Sequence, residues 1–131
     1  MTTLRKEVVV DTPADHAWSR LSDVRKTHEL FAGVLLDCHI DGDIRTVVFA
    51  NGMTVVERLI TIDDALRRIS YAVEGEQFLA HAASMEIATV NSQQCRFIWI
   101  SDFLPEENSA VVGPLMEQGG MALKAVLEAG C

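Results

Sequence analysis

At 131 residues and 14.4 kDa, the chain can form one domain that buries roughly two thirds of the surface its unfolded form exposes. Its net charge of −8 argues against a nucleic acid or an anionic membrane as the main partner, because no lysine- and arginine-rich run offsets phosphate repulsion. Its three cysteines form no C-x-x-C pair, which is typical of free thiols in a reducing compartment. We therefore expect one cytoplasmic domain over residues 1–131, without a membrane-spanning segment.

The first quarter of the chain predicts one strand and two short helices. Residues 4–10 alternate as a strand, and Thr12 can cap a helix that has Pro13 in its first turn. A second short helix is expected to run to Phe31 and to end at Gly33.

Residues 34–40 alternate as a further strand, and residues 44–73 then contain three consecutive strands. Turn residues separate these three strands at Asn51-Gly52 and at Asp63-Asp64. The pattern indicates an antiparallel meander in which two charged residues, Arg45 and Glu57, stand where apolar residues are expected.

The first loop of the meander decides which side chains share a face. A two-residue Asn51-Gly52 turn sets Arg45 opposite Arg58, a like-charge pairing that destabilises the ladder. A three-residue loop over residues 50–52, with Gly52 in the left-handed conformation, sets Arg45 opposite Glu57 instead. We favour the three-residue loop, because one face is then apolar apart from a complementary ion pair. The other pairs on that face are Val47 with Val55 and Phe49 with Met53.

The rest of the chain predicts two long strands, residues 80–90 and 95–104, and a C-terminal helix from about residue 108 to 129. Pro114 is expected to delay or kink this helix. Its predicted apolar side consists of Val111, Leu115, Gly119, Ala122, Leu123, Val126 and Leu127. The predicted order is one strand, two short helices, six strands and one long helix, an α+β arrangement.

Four segments, taken in order, carry a family resemblance: V-V-V-D-T-P-A-D-H-A-W at 8–18, R-x-V-x-F-x-N-G-x-x-V-V-E-R-L at 45–59, D-D-x-x-R-R-I-S-Y-x-V at 63–73 and G-G-x-A-L-K at 119–124. Together they resemble the polyketide cyclase/dehydrase-like branch of the START-like, or SRPBCC, superfamily. The resemblance implies a helix-grip fold, in which a curved seven-stranded antiparallel sheet wraps a long C-terminal helix. It also implies a deep hydrophobic cavity between them, which holds lipids, sterols, hormones or polyketide intermediates in that superfamily.

The E-R-L at 57–59 is also similar to the plant abscisic-acid receptors. Those receptors have a longer gate loop than residues 50–53 provide, so a gate-and-latch signalling role is not expected. The resemblance implies which positions face the pocket, and it places His81 near a position that is a pocket tyrosine in those receptors. Phe49 is included because the favoured strand register places it on the same face as Arg45 and Glu57. The predicted ligand-binding residues are Arg45, Val47, Phe49, Glu57, Tyr71, Val73, His81, Leu115 and Gly119.

The residues themselves leave two interpretations of Arg45 and Glu57. Buried charges are costly unless paired, so one interpretation is a polar handle that orients a carbonyl, carboxylate or hydroxyl of a ligand. The other is a half-solvated cross-strand salt bridge at the opening of the cavity, which contributes little.

Acid–base catalysis by His81 and Tyr71 is a secondary hypothesis, because a histidine on such a strand is more ordinarily a hydrogen-bonded lining residue. His16 and His28 are expected at the surface. The acids and histidine that alternate over residues 37–43 are too extended to converge on one ion, so neither a metal nor a cofactor is predicted.

Two main functions remain open. One is the binding of a small hydrophobic molecule: a lipid, a polyketide-like compound or an aromatic compound. The other is a cyclase or dehydratase in which Arg45 or His81 polarises a carbonyl and Glu57 or Tyr71 moves protons. A weaker third possibility is a groove that accepts another protein, and a homodimer remains open if an edge strand is exposed.

Overall fold

The structure is a computed structural model that describes residues 2–130. Its seven strands are β1 (Thr2–Val10), β2 (Leu35–Asp41), β3 (Ile44–Phe49), β4 (Thr54–Asp63), β5 (Arg68–Glu74), β6 (Ala80–Asn91) and β7 (Gln94–Leu104). Its helices are α1 (Ala14–Leu21), α2 (Thr27–Leu30) and α3 (Ser109–Ala129). Single 3-10 turns, Val24–Lys26 and Glu106–Asn108, lead into α2 and α3.

The seven strands form one antiparallel sheet with the order β1-β7-β6-β5-β4-β3-β2. Strands β2 to β7 are neighbours in space because short turns join them, whereas β1 pairs with β7 at the far edge. The predicted helix-grip fold is confirmed: a curved seven-stranded antiparallel sheet holds a long C-terminal helix, with two short helices after the first strand.

The core lies between α3 and the concave face of the sheet, because alternate strand residues point to that side. Phe97 and Cys95 on β7 are fully buried there, as are Leu123 and Leu127 on α3. A second, smaller apolar cluster forms near the start of α3 from Phe103, Val112 and Met116. Trp99 packs against both clusters, and the candidate site lies beside its indole ring.

The face that α3 presents to the core differs in part from the prediction. Val111 is 46% exposed and Val112 is buried instead. Pro114 does not delay the helix, which runs through it from Ser109. The helix packs tightly on β1 at Gly120, where an added Cβ would be 3.2 Å from two carbon atoms of Lys6.

The start of α1 also differs from the prediction. The helix begins at Ala14 with Pro13 at the N-cap position, and no side chain caps it, so the predicted role of Thr12 is wrong. Contacts with the turn between β4 and β5 hold the helix instead. Asp15 pairs with Arg67, and Trp18 Nε1 donates to Asp64 Oδ1 at 3.0 Å. Across residues 2–130, no helix combines the length and apolarity that crossing a membrane requires.

Candidate functional site

The β3–β4 loop sets the geometry of the candidate site. Phe49 N–H donates to the Met53 carbonyl at 2.8 Å, and Gly52 N–H donates to the Phe49 carbonyl at 3.0 Å. Gly52 has a φ of 93°, the left-handed conformation that glycine adopts without steric cost. The three-residue loop is therefore confirmed, and with it the pairing of Arg45 with Glu57.

Arg45 and Glu57 form a buried ion pair on the concave face. Arg45 Nε donates to Glu57 Oε1 at 2.7 Å, and the two residues are only 3% and 8% exposed. Arg45 Nη1 also donates to Thr27 Oγ1 at 3.0 Å, and the Thr27 hydroxyl donates to the Val24 carbonyl at 2.8 Å. The interpretation as a half-solvated salt bridge is therefore wrong, because both charged groups are buried. The hydrogen bond to Thr27, the first residue of α2, orients the Arg45 guanidinium.

Aromatic rings cover the other side of the pair. The Arg45 guanidinium carbon lies 5.4 Å from the centroid of the Tyr71 ring, within the range of a cation–π contact. Tyr71 is 3% exposed, and its Oη accepts a hydrogen bond of 3.1 Å from Trp99 Nε1. The phenol therefore still has its own proton to donate.

Burial controls the protonation of this group of side chains. It raises the pKa of Glu57, and the neighbouring Arg45 offsets part of that rise. Burial also raises the pKa of Tyr71 well above its ordinary value, and the charge of Glu57 adds to this rise. Tyr71 is therefore a neutral phenol at pH 7, and the Glu57 carboxyl is closer to protonation than a surface glutamate.

Two adjoining chambers open beside the ion pair. The inner chamber, between Arg45, Thr27 and Gly119, has a cavity volume of about 40 Å³. The outer chamber, between His81, Ser101 and Val112, has a volume of about 70 Å³. Since one water needs roughly 10–15 Å³ by this measure, each chamber has room for several atoms of a ligand. The residues shared by both chambers are Phe49, Glu57, Tyr71, Trp99 and Leu115.

The structure brings together all nine residues that the sequence predicted at the site. Five of them line one chamber only: Arg45, Val47 and Gly119 the inner one, and Val73 and His81 the outer one. The other four line both chambers: Phe49, Glu57, Tyr71 and Leu115. Whether these side chains contact a ligand stays a prediction.

Several lining residues were not predicted. Thr27 and Phe31 come from the short helical segment, where no sequence pattern marks them as facing a cavity. Trp99 on β7 and Met85 on β6 line the inner chamber from the sheet. Other residues that were not predicted line the outer chamber: Met53, Val55, Gln77, Phe78, Ser101, Val111, Val112 and Met116.

The histidines differ in their surroundings. His81 lies between two aromatic rings, with its ring centroid 4.4 Å from that of Phe78 and 5.4 Å from that of Phe103. Burial lowers the pKa of His81 to about 4, against a smaller opposing effect of Asp102, so the ring is neutral at pH 7. His16 and His28 are only partly exposed, and each has one buried ring nitrogen without a partner in residues 2–130. The surface position expected for both is therefore met in part, since a portion of each side chain is exposed.

The sheet closed over α3, with a buried ion pair on the wall of a mostly apolar cavity, defines a helix-grip protein. The chain belongs to the family described as polyketide cyclase / dehydrase and lipid transport, which it matches over residues 1–130. A search of curated proteins found no match.

Solved structures with the same fold cover nearly the whole chain. A protein from Thermobifida fusca is 27% identical, with a TM-score of 0.79 over 95% of this chain and 91% of that one. A START superfamily protein from Mycobacterium smegmatis is 14% identical, with a TM-score of 0.81 over 97% of both chains. Norcoclaurine synthase from Thalictrum flavum, solved with dopamine and hydroxybenzaldehyde, is 17% identical, with a TM-score of 0.77 over 99% of this chain and 88% of that one.

Proposed function

We propose that this protein binds a small, predominantly apolar molecule whose polar group contacts Arg45 and Glu57. The observation that carries the proposal is a buried ion pair, at a distance of 2.7 Å, on the wall of an apolar cavity. A buried ion pair is seldom more stabilising than apolar residues of the same volume, so stability alone does not explain it.

The pair retains hydrogen-bonding capacity, and both of its residues line the cavity. Within residues 2–130, the hydrogen bonds of the pair use Nε and Nη1 of Arg45 and Oε1 of Glu57. Arg45 Nη2 and Glu57 Oε2 are left for a bound molecule. A carboxylic acid, or a carbonyl beside a hydroxyl, matches this combination of donor and acceptor.

The size of the chambers limits the ligand. Their combined space suits a small aromatic or short aliphatic body, and a larger molecule requires Trp99 or the surrounding loops to move. The rings of Phe49, Tyr71 and Trp99 supply an apolar wall for such a body.

A cyclase or dehydratase is the second candidate, favoured by the raised pKa of Glu57 beside the neutral phenol of Tyr71. Both groups are suited to hold or donate a proton in an aldol cyclisation or a dehydration. For an enzyme, Glu57→Gln would lower turnover more than affinity, whereas for a carrier it would lower mainly affinity.

The test combines native mass spectrometry of freshly purified protein with a fluorescence titration of 2-naphthoic acid, an aromatic acid whose carboxyl group would share one proton with Glu57. We expect saturable binding that Arg45→Met weakens by about tenfold or more, because a charged hydrogen bond is worth roughly 1.5–3 kcal/mol. Arg58→Met is the matched control, since Arg58 pairs with Glu74 on the exposed face of the same sheet. Equal effects of the two substitutions, with no co-purifying molecule, would overturn the proposal.

A further inference from the structure

His81 and Ser101 form a second polar group in the outer chamber, away from the Arg45–Glu57 pair. His81 on β6 pairs with Phe103, and Ser101 on β7 pairs with Ala83, so the two side chains are diagonal neighbours on the concave face. Both line the outer chamber. The ion pair and these two residues therefore give the cavity two polar regions.

The imidazole of His81 has a hydrogen-bonding atom that the described residues leave unmet. His81 Nδ1 is buried and has no partner within residues 2–130. Ser101 is 2% exposed and lines the same chamber, where its hydroxyl can donate or accept a hydrogen bond. Buried polar groups without partners are uncommon in folded proteins, because each loses its hydration without compensation.

The chemistry of the two groups selects what can satisfy them together. A neutral imidazole presents Nδ1 either as an acceptor or as a donor, according to its tautomer. The serine hydroxyl can also donate or accept. A hydroxyl group complements both in either tautomer, because it too donates one hydrogen bond and accepts others.

The register of the sheet gives the spacing between the two polar regions. Glu57 pairs with Val73, and Ala72 pairs with Ala82, which places Val73 beside His81. Glu57, Val73 and His81 therefore lie in one row across β4, β5 and β6. Glu57 and His81 are therefore two strands apart, which is about 10 Å between their backbone positions. Tyr71, Trp99 and Leu115 line both chambers and supply apolar surface between the two regions.

We propose that His81 and Ser101 bind a hydroxyl of the ligand, so that the ligand carries polar groups at both ends of an apolar body. This inference rests on the proposed function, since it assigns the second end of the same molecule. The ligand class is a hydroxylated aromatic or short aliphatic acid, with its acid group at Arg45 and its alcohol or phenol in the outer chamber.

The test compares 2-naphthoic acid with 6-hydroxy-2-naphthoic acid, which adds a hydroxyl at the far end of a rigid apolar body. Calorimetric titration of the wild-type protein should show about tenfold tighter binding of the hydroxy acid, the effect of one to two hydrogen bonds. Ser101→Ala and His81→Phe should each reduce this preference toward one. Ser84→Ala should preserve it, because Ser84 lies on β6 between the inward-facing residues Ala83 and Met85 and so points to the other face.

The outcomes separate this inference from the proposed function. If both acids bind equally well to the wild-type protein, water satisfies the two groups and the inference is overturned while ligand binding stands. The inference is also overturned if Ser101→Ala and His81→Phe both still bind the hydroxy acid more tightly than 2-naphthoic acid. Binding of neither acid, with no co-purifying molecule, contradicts the proposed function and this inference together. Thermal unfolding of each variant shows whether the fold is retained.

Discussion

Removal of one partner from the buried ion pair should have a large effect on stability. Arg45→Met leaves the Glu57 carboxylate 8% exposed and without its charged hydrogen bond. Breaking a buried pair in this way costs about 3–5 kcal/mol. For 131 residues, a loss of about 3 kcal/mol lowers Tm by roughly 10 °C.

The double variant Arg45→Met/Glu57→Leu should recover most of this loss, because two apolar side chains replace two buried charges. Urea unfolding of the wild-type protein, both single variants and the double variant measures the coupling free energy directly. The exposed pair again provides the control, since Arg58 is about half exposed and Arg58→Met should change stability far less.

The deficit of Arg45→Met should also depend on pH. Arg45 lowers the pKa of Glu57, so its removal leaves the folded-state pKa raised still further by burial. A carboxyl group whose pKa is higher in the folded than in the unfolded state stabilises the fold fully below its unfolded-state pKa. This stabilisation is lost as pH rises through the folded-state pKa. The deficit should therefore be smaller near pH 5 than near pH 8. A deficit no larger than that of Arg58→Met, or one that does not change with pH, would refute the reasoning.

Two further predictions concern the chamber walls. Gly119→Ala should destabilise by about 1–3 kcal/mol and weaken 2-naphthoic acid binding, because the new Cβ would lie 2.7 Å from Trp99 Cζ3. Gly113→Ala is the matched control on the same helix, with its nearest contact at 3.8 Å, and equal urea midpoints for the two would contradict the prediction. Burial lowers the pKa of His81 to about 4 in the folded state. The stabilisation that comes from keeping this ring neutral is therefore present above the unfolded-state pKa and is lost as pH falls toward 4. The free energy of unfolding measured from pH 7 to pH 5 should therefore fall more steeply for the wild-type protein than for His81→Phe, and parallel curves would exclude this effect.

The local sequence was sufficient for the features that depend on short-range geometry. Alternation identified the strands, and the pairing of Arg45 with Glu57 instead of Arg58 favoured a three-residue loop over a two-residue turn. Because side chains alternate strictly along a strand, that one loop also placed Arg45 and Glu57 on the same face. The spacing of apolar residues located α3, although it misassigned Val111 to the buried side.

Contacts between distant segments decided the rest of the site. Thr27 reaches Arg45 from a helix 18 residues away in the chain, and no local pattern encodes that hydrogen bond. The bond from Trp99 to Tyr71 joins strands 28 residues apart and fixes the wall between the chambers. Whether an inward-facing side chain is core or cavity wall depends on how closely α3 approaches it.

Sequence alone therefore determined the strand pattern, the long C-terminal helix and the facing of the charged pair, because these follow from backbone geometry over a few residues. Only the tertiary structure decided how deeply that pair is buried and where space remains beside it. Burial and empty volume depend on the packing of many segments at once, and that packing also sets the protonation of Glu57 and His81.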